Sequence, residues 1–327
     1  MKMFETIKFT RRPKLKNPIL LACWPGMGNV ALRAGIFLKT QLHAQEFCEI
    51  ETLELFQPIE VIVEHGMAKI SEPPRSIFYY WQNEYGENDL IIFLSEAQPA
   101  LDKGYTYGYK VLDVAEQYAV KKIYTFAAMP MAITHLEKPR VWGVATDLLL
   151  LESLKRYNVQ IMSEGHISGL NGLILGIAKQ RRIQGICLLG ELPLYTIQIE
   201  NPKASQAVLE IFCAMLNIRV TFTELEDYAK RLEQEIEKLF DFFSVDVSKT
   251  KSLSEDDVQK MRKTIEEYTK IPTEAKKKIE ELFEQAKKDS AKIIELKAIL
   301  DKWGIFKEYE DKFLDLFEKK KEQPPEN

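Results

Sequence analysis

Cysteine is scarce in this chain of 327 residues, and long apolar runs are missing. The four cysteines stand far apart, at positions 23, 48, 187 and 213, with no CxxC pair, so we expect neither a disulfide framework nor a cysteine-based zinc site. No apolar stretch is long enough to cross a bilayer, and residues 1–6 lack the basic-then-apolar order of a signal peptide. The sequence therefore predicts a cytoplasmic protein with no membrane contact.

A basic surface is missing as well. The chain has 45 Lys and Arg against 49 Asp and Glu, a net charge of -4, which argues against nucleic acid as a partner. Residues 1–222 hold 23 basic and 22 acidic residues, whereas residues 223–327 hold 22 and 27. Fourteen of the fifteen glycines lie in the first part. This break predicts an α/β domain over 1–222 and a charged helical extension over 223–327.

Apolar periodicity in the first part predicts strands that alternate with helices. The predicted strands are 19–24, 49–55, 60–64, 76–81, 90–95, 122–127 and 185–189, and the predicted helices are 29–42, 105–118, 144–157, 170–179 and 204–216. Parallel strands need such crossover connections. We therefore expect a mainly parallel sheet with helices on both faces.

The second part predicts helices alone. Apolar residues recur three and four positions apart over 225–243, 273–303 and 306–317, on otherwise charged segments. The capping-box spacing of Ser254 and Asp257 predicts a further helix over 254–271, which ends before Pro272. These apolar stripes either pack against each other and the α/β domain or bind a partner. The sequence leaves both interpretations open.

Two glycines follow the first long apolar strand. Gly26, Met27, Gly28 and Asn29 lie between this strand and a predicted helix, where backbone N–H groups and the helix dipole bind phosphate or carboxylate. The third glycine of a dinucleotide-binding loop is replaced by Ala31. A tight turn needs glycine with or without a ligand, so a purely structural role stays open.

Residues 163–169 combine an acid, an imidazole and two hydroxyls, and form the most catalytic-looking cluster in the chain. Ser168 is the candidate ligand-binding residue of this segment. The alternative is that Ser168 or a neighbour caps the helix predicted from residue 170.

Two carboxylates follow predicted strands. Glu96 and Glu191 are expected at the carboxyl edge of the sheet, where open α/β sheets bind ligands. They are either a general acid and base or structural groups, with Arg75 as one possible partner. His43, His65 and His135 have no partner at metal-ligand spacing, so no metal and no cofactor are predicted.

The order of these motifs resembles the proteasome assembly chaperone family over roughly residues 15–225. The motifs are WPGMGNV (24–30), PPR (73–75), EAQP (96–99), GY (104–105), ISGLNGLILG (167–176), LLGELP (188–193) and PKAS (202–205).

The resemblance implies a three-layer α/β/α domain like that of purine nucleoside phosphorylases, assembled into homo-oligomers. It also implies that the 26–29 loop lines one edge of the sheet with Glu96, Ser168 and Glu191, and it supplies no agreed catalytic residues. Some archaeal relatives dock on the proteasome through a C-terminal hydrophobic-Tyr-any sequence. Residues 323–327, QPPEN, do not match it, which argues against that mode of docking.

Two functions of different classes follow. The preferred one is a non-enzymatic assembly chaperone or interaction protein that acts as a homo-oligomer on a protein client. The alternative is a small-molecule enzyme or ligand-binding protein that uses the 26–29 loop and the edge carboxylates for a phosphate- or carboxylate-bearing compound. Whether the chain is an enzyme is left open, and the non-enzymatic interpretation is favoured.

Overall fold

The computed structural model describes residues 7–51, 54–56, 61–64, 66–70, 72–84, 86–242, 273–286 and 291–302, together with 309 and 313. The chain divides into two compact units, 1–262 and 263–327.

A nine-stranded sheet forms the centre of the first unit. Its strands in spatial order are β1 (Ile7–Phe9), β3 (Gln45–Ile50), β6 (Ser76–Trp81), β7 (Leu90–Ser95), β2 (Ile19–Cys23), β8 (Lys122–Met131), β11 (Gln184–Pro193), β9 (Val141–Ala145) and β10 (Gln160–Ile161). A separate two-stranded sheet pairs β4 (Val61–Glu64) with β5 (Met67–Ile70).

Parallel pairing is confined to the middle of the sheet and to one outer pair. Strands β7, β2, β8 and β11 run parallel, as does β10 with β9, whereas β1, β3, β6 and β7 pair antiparallel and β9 is antiparallel to β11. The connection between β6 and β7 is only eight residues long, and a connection this short joins antiparallel neighbours. The α/β class is confirmed, and the sheet is mixed.

Helices cover both faces of the sheet. They are α1 (Val30–Gln41), α2 (Gly104–Gln117), α3 (Leu148–Leu154), α4 (Leu170–Gln180), α5 (Pro202–Leu216) and α6 (Thr223–Phe242). Adjacent residues of β2 show the layering, because Leu20 packs in a core with α2 and α4 while Leu21 packs in a second core with α1 and α5. Both faces of this strand are buried, which explains its continuous apolar sequence.

Two element predictions were wrong in their boundaries. The helix expected over 144–157 is preceded by strand β9, and α3 begins only at Leu148, where the Asp147 carboxylate accepts the N–H of Leu150 at 2.9 Å. The strand expected over 49–55 ends at Ile50 and starts earlier, at Gln45. The short strands β1, β5 and β10 were not predicted, because two to four residues carry too little periodicity.

The charged second part is helical wherever the structure describes it. The helix predicted over 225–243 is α6, and the segment predicted to be helical from residue 273 contains α7 (Thr273–Ala286) and α8 (Ala291–Lys302). Helices α7 and α8 share a core in the second unit, formed by Ile279, Leu282, Phe283, Ala286, Leu296 and Leu300. The helix predicted over 254–271 and most of 306–317 lie outside the described residues.

Helix α6 packs on the α/β core within the first unit. Phe222, just before it, stacks on Phe37 of α1 with ring centroids 5.7 Å apart. Near the other end, the Phe240 ring lies 5.4 Å from the rings of both His135 and Tyr195. Leu225 is buried as well. The boundary predicted between residues 222 and 223 stays a prediction, and the compact unit contains α6.

We expect a chain that ends at residue 242 to fold cooperatively, and a chain that ends at residue 222 to be less stable by at least about 3 kcal/mol. The shorter chain loses the buried side chains Leu225, Ile236 and Phe240, each of which contributes about 1.5–3 kcal/mol when buried. Urea unfolding followed by circular dichroism measures the difference. Equal stability of the two chains would show that α6 is a separable part of the extension.

Candidate functional site

The carboxyl ends of the four central parallel strands meet at one edge of the sheet. This is the edge at which open α/β sheets bind ligands. The segments that follow β2 and β7, and the start of α4, converge there. They are held together by two amide side chains, Asn171 and Gln98.

The Asn171 side chain binds the backbone at the end of β2. Its Oδ1 accepts the N–H of Trp24 at 3.0 Å, and its Nδ2 donates to the carbonyl of Trp24 at 3.1 Å. The hydroxyl of Thr125 in β8 donates to the Asn171 carbonyl at 2.7 Å. Asn171 is only 4% exposed. Its side-chain amide supplies the donor and the acceptor that a neighbouring strand would give to Trp24 if the hydrogen-bond ladder of β2 continued.

Gln98 makes the second link between the same segments. Its Nε2 donates to the carbonyl of Pro25 at 2.7 Å, and its Oε1 accepts the N–H of Leu170 at 3.0 Å. Gln98 thus caps the first N–H of α4, a role for which the sequence offered Ser168 or a neighbour as one alternative. Gly169 immediately precedes α4, and its positive φ of 73° is a conformation that favours glycine.

The backbone of the 26–29 loop is engaged within the protein. The Gly28 N–H donates to the carbonyl of Ile197 at 2.7 Å, and the Asn29 N–H donates to that of Gly26 at 2.8 Å. The Gly28 carbonyl in turn accepts the N–H of Asn201 at 2.7 Å. Two N–H groups expected to face a phosphate therefore have protein partners, and the phosphate-binding role of this loop stays a prediction.

The neighbouring Asn29 side chain faces a polar cluster beside α6. Its Nδ2 donates to Glu200 at 3.1 Å, and Glu200 also accepts the hydroxyl of Tyr228 in α6 at 3.1 Å. Arg33 forms an ion pair with the same carboxylate. The 26–29 loop is thereby connected to α6 through one carboxylate.

A cavity of about 130 Å³ opens at this edge. Three of the predicted residues, Gly26, Met27 and Ser168, line it, and Asn171 lies in its wall. The remaining lining is largely apolar and includes Ala31, Ala127, Ala128, Met129, Pro130, Met162, His166, Ile167 and Leu189. The structure therefore brings part of the predicted set together around one small space.

The Glu191 carboxylate does not line this cavity and is bound by Arg140 and Trp142. It is 1% exposed and accepts hydrogen bonds from Arg140 Nε at 3.0 Å, from the Arg140 N–H at 3.0 Å and from Trp142 Nε1 at 2.8 Å. Burial raises the pKa of this carboxyl, but the bonds from Arg140 and Trp142 outweigh it and hold the pKa below its ordinary value. The sequence did not predict Arg140, because the strand that follows it was predicted as coil and helix.

Glu96 is exposed and binds the backbone of a second arginine, Arg75. Its Oε2 accepts the backbone N–H of Arg75 at 2.8 Å, while the Arg75 guanidinium binds Glu49 at 3.1 Å and Glu46 at 3.3 Å. Neither Glu96 nor Glu191 lines the cavity. Each of the two carboxylates is thus paired with a different arginine, Glu191 within β11 and Glu96 just after β7, and a joint acid–base role stays a prediction.

Three residues of the 163–169 segment, His166, Ile167 and Ser168, line the cavity. His166 and Ser168 are both exposed there. A Cβ on Gly172 would lie 2.1 Å from the carbonyl oxygen of Ile167, so glycine is required where α4 passes under this segment.

No group of three His, Cys, Asp or Glu side chains among the described residues could hold a metal ion. All four cysteines are buried and free, and burial raises the pKa of every thiol, that of Cys48, Cys187 and Cys213 to about 12. Within the described part of the chain, no helix has the length and apolar character needed to span a membrane.

Comparison with known proteins identifies the family. The PAC2 family model matches residues 20–240, which include every strand of the large sheet except β1, the helices that cover it and nearly all of α6. This chain belongs to the PAC2 family. The resemblance to proteasome assembly chaperones is thereby confirmed.

Three PAC2-like proteins illustrate the relationship. An uncharacterised protein of Methanocaldococcus jannaschii is 30% identical over 268 residues, which cover 79% of this chain and 98% of that protein. PbaB of Pyrococcus furiosus, an archaeal proteasome activator, is 28% identical with a TM-score of 0.61, covering 72% of this chain and 98% of PbaB. PbaA of the same organism, a homologue of proteasome-assembly chaperone, is 22% identical with a TM-score of 0.57 over 73% and 94%, and shows the fold alone.

We expect Gly28→Ala to lower the free energy of unfolding by at least about 2 kcal/mol. Gly28 has a φ of 58°, and an added Cβ would lie 2.6 Å from Leu192 Cδ2. Gly26→Ala is the matched control, because its φ of -172° suits any residue and its nearest neighbour would be 3.5 Å away. Urea unfolding should leave the control within about 0.5 kcal/mol of the parent. Equal losses would contradict the structural role of Gly28.

Glu191→Gln should lower the free energy of unfolding by about 1–3 kcal/mol at pH 7, because Arg140 and Trp142 lose their charged acceptor. The folded pKa of Glu191 is lowered, so its stabilisation is present above the ordinary pKa of 4.5 and is lost as the pH falls through the folded value. The variant and the parent should therefore converge in acid. A difference that persists unchanged at pH 2 would contradict this, and exposed Glu96→Gln is the control.

Proposed function

We propose that this chain is a non-enzymatic assembly chaperone or interaction protein that acts in the cytoplasm, as a homo-oligomer, on a proteasome-type complex. The observation that carries the proposal is the match to PbaB, an archaeal proteasome activator, which extends over 98% of that protein at 28% identity. PbaA, a homologue of proteasome-assembly chaperone, shares the fold over 94% of its own chain.

The polar groups of the sheet edge favour this function over catalysis. Asn171 and Gln98 use their amides to hold backbone, and Glu191 is bound by Arg140 and Trp142. These two amides and this carboxylate are engaged within the protein, so none of the three is free to act as a general base. The cavity itself is small and mostly apolar. These features suit a rigid scaffold for protein contacts.

The β4–β5 hairpin supplies a surface for self-association. Val63, Met67 and Ile70 are exposed, the last two to 74%, and within the described strands the hairpin pairs with no other sheet. An isolated two-stranded hairpin is marginally stable, and its unpaired edges accept further strands. We assign the contact between copies to this hairpin.

The client interaction is tested with purified proteasome α-subunits from the organism of origin. We expect the full chain to co-elute with them on size exclusion, and to change the rate at which they form rings when it is added in stoichiometric amount. As a control, the same two measurements are made with chain that has been denatured and refolded, which tests whether the preparation is active. Absence of both co-elution and a rate change would contradict the proposed client.

The oligomer contact is tested with Met67→Lys/Ile70→Lys. Two charges on the exposed hairpin should lower the molar mass measured by light scattering while leaving the circular dichroism spectrum unchanged. Leu148→Lys/Leu149→Lys is the matched control, because these residues are exposed to 77% and 83% on α3 and should leave the mass unchanged. An unchanged mass for the hairpin variant, or an equal decrease in both variants, would contradict the assignment.

A further inference from the structure

A buried imidazole faces the last turns of α6. His135 lies between β8 and β9 and is only 5% exposed. Its ring packs against two aromatic rings, those of Tyr195 and Phe240, whose centroids are 6.1 Å and 5.4 Å away. Its Nε2 lies 2.8 Å from Oε1 of Glu237, and both Glu237 and Phe240 belong to α6. The ring is thus part of the surface on which the end of α6 packs.

The hydrogen bonds of Tyr195 favour a neutral ring. Its hydroxyl oxygen accepts the backbone N–H of His135 at 2.8 Å and lies 2.9 Å from Nδ1 of the same residue. A neutral imidazole accepts the hydroxyl proton at Nδ1 and carries its own proton on Nε2, on the side of Glu237. A second proton, on Nδ1, would point at the hydroxyl group and force it to turn its own proton away.

The charged groups that face the ring come from α5 and α6. Lys203 of α5 donates to the carbonyl of His135 at 2.9 Å and forms an ion pair with Glu233 of α6 at 2.6 Å. Glu237 of α6 adds a second carboxylate. Glu137, in the same segment as His135, accepts a backbone N–H of that segment at 2.9 Å. A proton on the ring would add a positive charge beside Lys203, at a place with little access to water.

Burial lowers the pKa of His135 below its ordinary value of 6.5 and outweighs the carboxylates of Glu237 and Glu233, which raise it. The charge of Lys203 lowers the pKa further. The stability contributed by the neutral ring is therefore fully present above the ordinary pKa, and it is lost as the pH falls toward the folded value. Weakly acidic solution thus acts against the packing around the ring.

The two ends of α6 are held by different contacts. Its first turns are bound through Tyr228, whose hydroxyl donates to Glu200 at 3.1 Å. Its last turns pack through the buried side chains of Ile236 and Phe240, and Phe240 lies directly against His135. A charge on the imidazole therefore acts on the last turns.

We propose that His135 is a pH-sensitive switch for α6, in which a proton taken up from solvent by the imidazole releases residues 233–240 from the α/β core while the first turns of the helix stay bound. Release exposes the apolar side chains of Ile236 and Phe240 to solvent. The switch is independent of the proposed assembly function.

Hydrogen exchange of the full chain tests the switch, followed by mass spectrometry between about pH 7.5 and 5.5 and corrected for the intrinsic effect of pH on exchange. We expect exchange in residues 233–240 to rise at least about 3-fold toward the acid end relative to α5, whereas the first turns of α6 keep their protection. His135→Asn, whose amide does not titrate, should abolish this rise whatever its exchange at neutral pH. His43→Asn is the matched control and should keep the rise, because His43 is exposed and its φ of 50° suits asparagine.

A second variant separates a switch from a merely structural contact. Glu237→Gln removes a carboxylate that raises the pKa of His135, so the midpoint of the rise should move to lower pH. Circular dichroism confirms that each variant is folded at each pH. The proposal is overturned if exchange of residues 233–240 in the parent does not change over this range, or if His135→Asn keeps the rise seen in His43→Asn. It is overturned equally if the midpoint of Glu237→Gln equals that of the parent, since another group would then titrate.

Discussion

The structure at the sheet edge depends on one side-chain amide. Asn171 is buried, and it satisfies both polar groups of the Trp24 backbone where β2 leaves the ladder. A buried amide or carbonyl without a partner costs about 1–3 kcal/mol. The chain leaves the sheet after β2 without this cost because Asn171 of α4 makes the two hydrogen bonds that a neighbouring strand would otherwise make. The direction of the 26–29 loop and the position of α4 are both set by these two hydrogen bonds.

Neighbouring contacts extend this constraint outward. Gln98 links the Pro25 carbonyl to the first N–H of α4, and the Gly28 backbone is fixed by Ile197 and Asn201. Asn29 continues the connection to Glu200 and thence to α6. Many of the polar groups that the sequence offers for a ligand-binding edge are thus engaged in holding the fold.

Much of the fold follows from local sequence. The continuous apolar run of β2 and the helical spacing in α6 each predict the element that forms there, because the burial of one strand or one helix face leaves a periodic pattern. The antiparallel pairing of β9 was missed, since Val141–Ala145 is short and its role is decided by its neighbour β11. Of the two carboxylates expected after strands, Glu96 directly follows β7, whereas Glu191 lies inside β11, two residues before its end.

The contacts of the site could not be predicted in the same way. Asn171 and Trp24 are separated by 147 positions, and Arg140 and Glu191 by 51. Both pairs meet only because the strand order brings distant segments together. Gln98 lies within a motif that identified the family, but its cap of α4 depends on a helix that begins 72 residues later.

The most direct test of this account is the unfolding free energy of Asn171→Leu in urea. Leucine has a similar branched shape and a higher helix propensity, but it leaves the Trp24 N–H and carbonyl buried without partners. We expect a loss of about 2–5 kcal/mol relative to the parent. A variant within about 0.5 kcal/mol of the parent would contradict the claim that this amide holds the sheet edge together.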